Sequence, residues 1–186
     1  GLHTYKGKFY PQLARALMNV AGVSAGAKVL DPFCGSGTTL LEASLNGMLP
    51  FGCDMHPLAA QIARVKTDIL LVEPDLLRET VSTILGLLEM RPSQLPNCRG
   101  DYSESCRDEV ERWFPKPVVN KLAWLLRSIR QNSGGLVKEF LEVVLSEIIR
   151  DVSHQEPTDL RIRYRAVKLE DADVFGQFKD QLIQQF

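Results

Sequence analysis

Residues 28–47 read KVLDPFCGSGTTLLEASLNG. A short apolar run ends in Asp31-Pro32, a glycine-broken turn follows at Cys34-Gly35-Ser36-Gly37-Thr38, and helical spacing then runs to Gly47. A strand feeding a helix through such a turn aims backbone N–H groups, and the positive end of the helix dipole, at the C-terminal edge of a sheet. Glycines omit the Cβ atoms that would hold a flat or anionic ligand off that backbone.

The flanking segments extend the pattern. PQLARALMNVA (11–21) has helical spacing, with Leu13, Leu17 and Met18 expected on one side. LPFGCDM (49–55) reads as a second short strand, and PLAAQIARVK (57–66) as a helix with Pro57 at a favourable first-turn position. Helix, strand, helix, strand, helix implies a parallel sheet with crossover helices. From about residue 74 the chain turns mainly helical: 73–90, 117–132, 136–152 and 171–186 all read as helices, the third with Phe140, Leu141, Val144, Leu145, Ile148 and Ile149 on one broad apolar face. DLRIRYRAVKL (159–169) alternates like an exposed strand. The expected fold class is α/β, a Rossmann-like partial parallel sheet over residues 1–72 followed by a mainly helical segment over 73–186. Two strands do not complete a wide sheet, so further strands are expected elsewhere.

The glycine turn admits three ligand classes. A phosphate loop needs Gly-Lys-Ser/Thr, and Gly37 is followed by Thr38 and Thr39. A dinucleotide fingerprint needs a third glycine where Leu40 stands. The third class takes in Asp31 before the turn and Asp54 at the end of the second strand. A carboxylate at that strand tip accepts hydrogen bonds from ribose hydroxyls, and a second acid beside the turn favours a cationic centre over a pyrophosphate. A nucleoside carrying ammonium and sulfonium charges, S-adenosylmethionine, fits both. The competing reading is a turn that merely joins strand to helix, with Asp54 capping the helix at Pro57.

With those residues in view, DPFCGSGTT (31–39) resembles the cofactor motif of the amino-group DNA methyltransferases, which act on cytosine N4 or adenine N6. HTYKGKFYPQLARALM (3–18) is similar to their cofactor-flanking segment, and GCDMHPLAA (52–60) to their ribose-binding strand end. The likeness covers residues 3 to about 66. It implies that Asp31, Phe33, Gly35, Ser36, Gly37 and Thr38 line the methionine end of the cofactor, that Asp54 holds the ribose, that Met55 and His56 lie beside the adenine, and that Phe9 and Tyr10 close over the methyl donor. The family's catalytic Pro-Pro-aromatic turn is missing: EPDL at 73, FPKP at 114 and EPTD at 156 lack the second proline and the aromatic. No catalytic residue is therefore assigned, and the chain is expected to be the cofactor-binding part of a longer enzyme, the alternative being a remnant that does no chemistry. The helical half, from RWFPKPVVNKLAWLLRSI (112–129) to EIIRDVSHQEPTDLRIRYR (147–165), resembles an insert that some members carry. The resemblance implies double-stranded DNA with a flipped base as substrate, and a restriction endonuclease as a possible companion. An RNA amine methyltransferase and a non-catalytic cofactor-binding module are the rival functions.

The bulk composition narrows the field further. A formal charge of −1 gives no overall pull towards polyanions, so any nucleic acid must meet a local patch. Arg161, Arg163 and Arg165, with Arg150 and Lys168 near, are the candidate; strand alternation would place the three arginines on one face for phosphate contacts. Trp113, Phe114 and Trp124 are expected in the core rather than on a base-stacking surface. Glu104, Asp108, Glu109 and Glu111 read as a solvated helix face. His3, His56 and His154 are too scattered for a metal site. Cys34, Cys53, Cys98 and Cys106 show no CxxC spacing, Cys34 and Cys53 fall in segments that read as buried, and Cys34 at a helix start is a candidate for a depressed thiol pKa. No leader or membrane-length apolar run is visible, which makes the cytoplasm the expected compartment.

Overall fold

The computed structural model describes residues 2–5, 7–97, 103–159 and 161–185, so Cys98 lies outside the described residues. The chain divides into two compact units, one made of residues 1–74 and 135–143, the other of residues 75–134 and 144–186.

The first unit holds helix α1 (Pro11–Val20), strand β1 (Lys28–Asp31), helix α2 (Thr38–Leu45), strand β2 (Leu49–Gly52), helix α3 (Pro57–Asp68) and a 3-10 turn at Ile69–Leu71. β1 and β2 pair in parallel, from Lys28 opposite Leu49 to Asp31 opposite Gly52, with α2 as the crossover. Pro32 supplies no N–H, and β1 stops before it. Pro11 and Pro57 each open their helices at the position where a missing N–H is tolerated. The core under the sheet is Ala14, Met18, Ala43 and Met48, with Val23 and Val29 packed against it. Leu13 and Leu17 are not part of that core. They are 46% and 54% exposed, because α1 presents Ala14 and Met18, four residues apart, to the buried side instead.

Two ion pairs tie elements of this unit together. Glu42 is buried on α2 and accepts from Arg15 of α1, at 2.9 Å from Nε and 2.8 Å from Nη2. Arg64 of α3 meets Glu139 at 3.0 Å, and Gln61 donates to Glu142 at 3.1 Å, attaching the first part of helix α7 (Gly135–Ile148).

The second unit is built from helices α4 (Pro74–Glu89), α5 (Glu104–Trp113), α6 (Lys116–Asn132), the last turns of α7, and α8 (Val174–Gln185). Ile84, Leu88, Val118, Leu125, Ile129, Phe178 and Leu182 are fully or almost fully buried in it. Trp124 meets Phe175 edge-on at 5.5 Å, as a core aromatic would. Trp113 is only half-buried and stacks on Tyr164, with centroids 4.5 Å apart. Of the acids of α5, Glu104, Asp108 and Glu109 are exposed, Glu109 accepting from Trp113 Nε1 at 2.6 Å, while Glu111 is half-buried.

Residues 159–169 do not form the expected strand. Among the described residues they contribute one antiparallel bridge, Gln155 with Tyr164, and otherwise follow bends. Their pairing is limited to a short stretch, with Glu156 N–H donating to Arg163 O at 2.7 Å and Arg165 N–H to His154 O at 2.8 Å. The arginines serve the preceding loop: Arg165 turns inward and donates to the carbonyls of Ser153 (3.0 Å) and Asp151 (2.6 Å), while Arg150 donates to those of Glu156 and Asp159.

Candidate functional site

The glycine turn is held from three sides. Asp54, just past β2, accepts from Gly35 N–H at 2.9 Å with one carboxylate oxygen and from His56 N–H at 2.8 Å with the other. These two bonds hold its carboxyl below the usual range. Cys34 N–H donates to Cys53 O at 3.0 Å, extending the sheet contact into the turn. Lys66, in the last turn of α3, donates to the carbonyl of Ser36 at 2.9 Å. Burial, helped by the charge of Lys8, lowers the Lys66 pKa to about 8.

The two glycines serve different ends. Both have positive φ, 50° at Gly35 and 78° at Gly37. A Cβ on Gly37 would lie 2.7 Å from the Cβ of Ala63 and 2.8 Å from its Cα, so Gly37 is bare to let α3 approach. A Cβ on Gly35 would meet only the Tyr5 ring, at 3.7 Å. The ligand-facing opening expected of both glycines is thus left to Gly35.

Above the turn lies a cavity of about 350 Å³, within the range of small-ligand sites. Phe9, Asp31, Phe33, Gly35, Ser36 and Thr38 border it, as do Gly7 and Lys8. Tyr10, Gly37, Asp54, Met55 and His56 do not line it. Asp54 reaches the turn through its bond to Gly35; Tyr10 caps α1 and His56 caps α3, accepting from Ala59 N–H at 3.4 Å through Nδ1, and Met55 is almost fully exposed. The capping role expected as the rival reading of Asp54 therefore belongs to His56. Ser36 Oγ is buried and finds no hydrogen-bond partner. Asp31 accepts from Phe33 N–H at 3.1 Å.

Cys34 is buried, but its thiol pKa is raised, by burial first and then by the charges of Asp31, Asp54 and Cys53. That corrects the expectation of a depressed value: burial, with the nearby carboxylates adding to it, disfavours the thiolate. Cys53 is exposed, contrary to expectation. No metal-ligating cluster occurs among the described residues, and no described helix is long and apolar enough to cross a membrane.

Lys66 and Lys8 are the site residues that sequence reasoning missed. Ala59, Ala63 and Lys66 succeed one another at helical spacings of four and three, a small-small-basic face that was legible in α3. Two of the three arginines are brought together: exposed Arg161 and Arg163 line one hollow with Thr158 and Asp159, Arg163 pairing with Asp159 at 3.3 Å, while Arg165 points inward. A larger cavity of about 560 Å³ lies in the helical unit, but Phe114, Val119, Leu122 and Leu126 make its wall mostly hydrocarbon. The smaller cavity instead joins a carboxylate, Asp31, with the glycine turn and Ser36, whose hydroxyl is unsatisfied.

Residues 2–73 match the family described as UPF0020, RMKL-like, methyltransferase domain. The chain is 28% identical over 174 residues to the Type II methyltransferase M.MvaI of Kocuria varians, covering 90% of this chain and 37% of that protein. It is 26% identical over 168 residues to M.BsoBI of Geobacillus stearothermophilus, covering 89% and 31%. A shorter match, 49% identical over 51 residues, joins it to the tRNA (guanine(10)-N2)-dimethyltransferase of Methanothermobacter thermautotrophicus, covering 27% and 15%. No solved structure matches the chain significantly. The chain spans about a third of the length of the two Type II relatives. Residues 2–73 thus resemble a methyltransferase domain of the RMKL-like kind, and the chain is similar over most of its length to Type II methyltransferases, at 26–28% identity.

Proposed function

We propose that this chain is the cofactor-binding and helical part of an S-adenosylmethionine-dependent enzyme that methylates an exocyclic amine of DNA, cytosine N4 or adenine N6. The sheet, turn and crossover helix are read as the first half of a Rossmann-like methyltransferase fold, with residues 1–72 as the cofactor region and 73–186 as a DNA-facing segment. The observation that carries the choice of DNA is the extent of the likeness. The Type II relatives align over 174 and 168 residues, which must include most of the helical half, whereas the tRNA-modifying relative aligns over 51. Its higher identity there keeps RNA guanine N2 as the second reading.

The residues present fit the cofactor. When bound, S-adenosylmethionine supplies an electrophilic methyl on a sulfonium. Asp31, on the cavity wall, and Asp54, bonded to Gly35, bring two carboxylates to the turn and so suit a cation. Gly35 and Thr38 leave the cavity floor open, and buried Ser36 Oγ has a hydrogen bond still to make. Each carboxylate oxygen of Asp54 keeps a lone pair for a ribose hydroxyl after taking one N–H. Phe9 and Phe33 would flank the donor end and exclude water. Tyr10, Gly37, Met55 and His56 would act from the rim or through packing. The residues that activate the base are not assigned to this chain, and a Type II setting implies a restriction endonuclease companion for the whole enzyme.

Two measurements test the reading. Calorimetry should show S-adenosylmethionine binding that Asp31→Asn weakens about tenfold, the loss of one charge-assisted contact; no binding by the wild type rejects the site. Retention of a DNA duplex against tRNA, measured at two salt concentrations, tests the substrate, and a preference for tRNA favours the second reading.

A further inference from the structure

We infer that Lys66 is a positioning residue for the cofactor turn, holding the Ser36 carbonyl so that the Gly35–Ser36 segment keeps its ligand-ready shape. The inference rests on the cofactor reading of the turn. Lys66 is a long, half-buried amine on α3, and a lysine at an ordinary helix end keeps its ammonium in water. Here Nζ instead reaches across to a backbone carbonyl of another element at 2.9 Å. Its approach is possible because Ala63, one turn earlier, lies against bare Gly37. α3 therefore grips two successive residues of the turn, Ser36 by its carbonyl and Gly37 by contact, while Asp54 grips Gly35 by its N–H. Removing Lys66 frees the Ser36 carbonyl in a segment bounded by two glycines, the residues with least resistance to rotation. Ser36 also borders the cavity and carries a buried, unsatisfied hydroxyl, so the carbonyl that Lys66 holds belongs to a residue of the cavity wall. Burial of the amine, which lowers its pKa, shows that the contact is made inside the fold rather than in solvent.

The turn borders the methionine arm of the ligand in the proposed reading, whereas adenosine would engage chiefly the strand-end side. The test is calorimetry on the chain with two probes, S-adenosylmethionine and 5′-methylthioadenosine, for wild type, Lys66→Met and Lys66→Arg. Lys66→Met should lose about tenfold in affinity for S-adenosylmethionine, the range of one hydrogen bond from a charged donor, with the thioether changed less than twofold. Lys66→Arg, which keeps a donor, should recover most of the loss. Thermal unfolding followed by circular dichroism checks that each variant is folded; if Lys66→Met is not, Lys66→Gln takes its place. Equal losses for both probes, or no loss for either, overturn the positioning role. No binding of either probe by the wild type rejects instead the cofactor reading on which it depends.

Discussion

Gly37→Ala separates a structural glycine from a ligand-facing one. At φ of 78° an alanine sits in the left-handed region, which costs roughly 1–2 kcal/mol. Its Cβ would also meet Ala63 Cβ at 2.7 Å and Cα at 2.8 Å. The second contact is with helix backbone, which has no rotamer to move away, so an overpacking cost of about 1–3 kcal/mol is added. The sum, about 2–5 kcal/mol, is a large part of a domain's usual stability. Gly35→Ala is the internal control: its φ of 50° carries similar backbone strain, but its Cβ has only the Tyr5 ring at 3.7 Å for company. The difference between the variants should therefore be about 1–3 kcal/mol. Both tryptophans, Trp113 and Trp124, lie in the helical unit, so their fluorescence would miss the event. Hydrogen exchange of the α2 and α3 amides, with urea unfolding followed by circular dichroism, reads the correct region. Equal destabilisation by the two variants would refute the packing argument and return Gly37 to the ligand.

Other outcomes follow from named contacts. Arg15→Ala should destabilise more than Glu42→Gln by at least about 1 kcal/mol, because the first leaves a buried carboxylate uncompensated and the second leaves only a half-exposed guanidinium, measured by urea unfolding of each. Lys66 has a folded pKa of about 8 against 10.5 unfolded, so its charge is penalised below pH 8 and the penalty fades as pH rises towards 10.5; replacing wild type by Lys66→Met should flatten that rise in stability. His154 is held below its ordinary value by burial and by Lys168 and Arg165, so the helical unit should lose stability as pH falls through 6.5, and His154→Gln should remove that slope in pH-dependent melting. Arg161→Ala should lower DNA retention and reduce the salt slope by about one, while Arg165→Ala should act on the melting temperature instead.

The local α/β order was legible because each element carries its own signal. Pro11, Pro57 and Gly47 mark boundaries, and the apolar spacing of α6 and α8 follows the period of a helix whatever surrounds them. What a single sequence does not encode locally is the use made of a polar side chain. The alternation at Arg161, Arg163 and Arg165 is that of a strand, yet a strand also needs a neighbour, and residues 154–156 supply only a short one. Leu13 and Leu17 have helical spacing, but the choice between that face and Ala14 with Met18 is made by the close approach of α1 to α2. The glycine pair shows the same limit. Its presence announces a turn; which glycine yields to α3 and which to the cavity depends on Ala63, twenty-six residues away.

The bonds to Gly35 N–H and Ser36 C=O straddle a single amide, the one joining those two residues. With both flanks fixed, the backbone motion that leaves the two bonds intact is a crankshaft rotation of that amide, which swaps a hydrogen-bond donor for an acceptor. Two side chains from different elements thus hold one donor and one acceptor of the turn, while the amide between them can reverse its polarity. Asp54 and Lys66 hold opposite flanks of one short turn, so a double-mutant cycle between them should be non-additive.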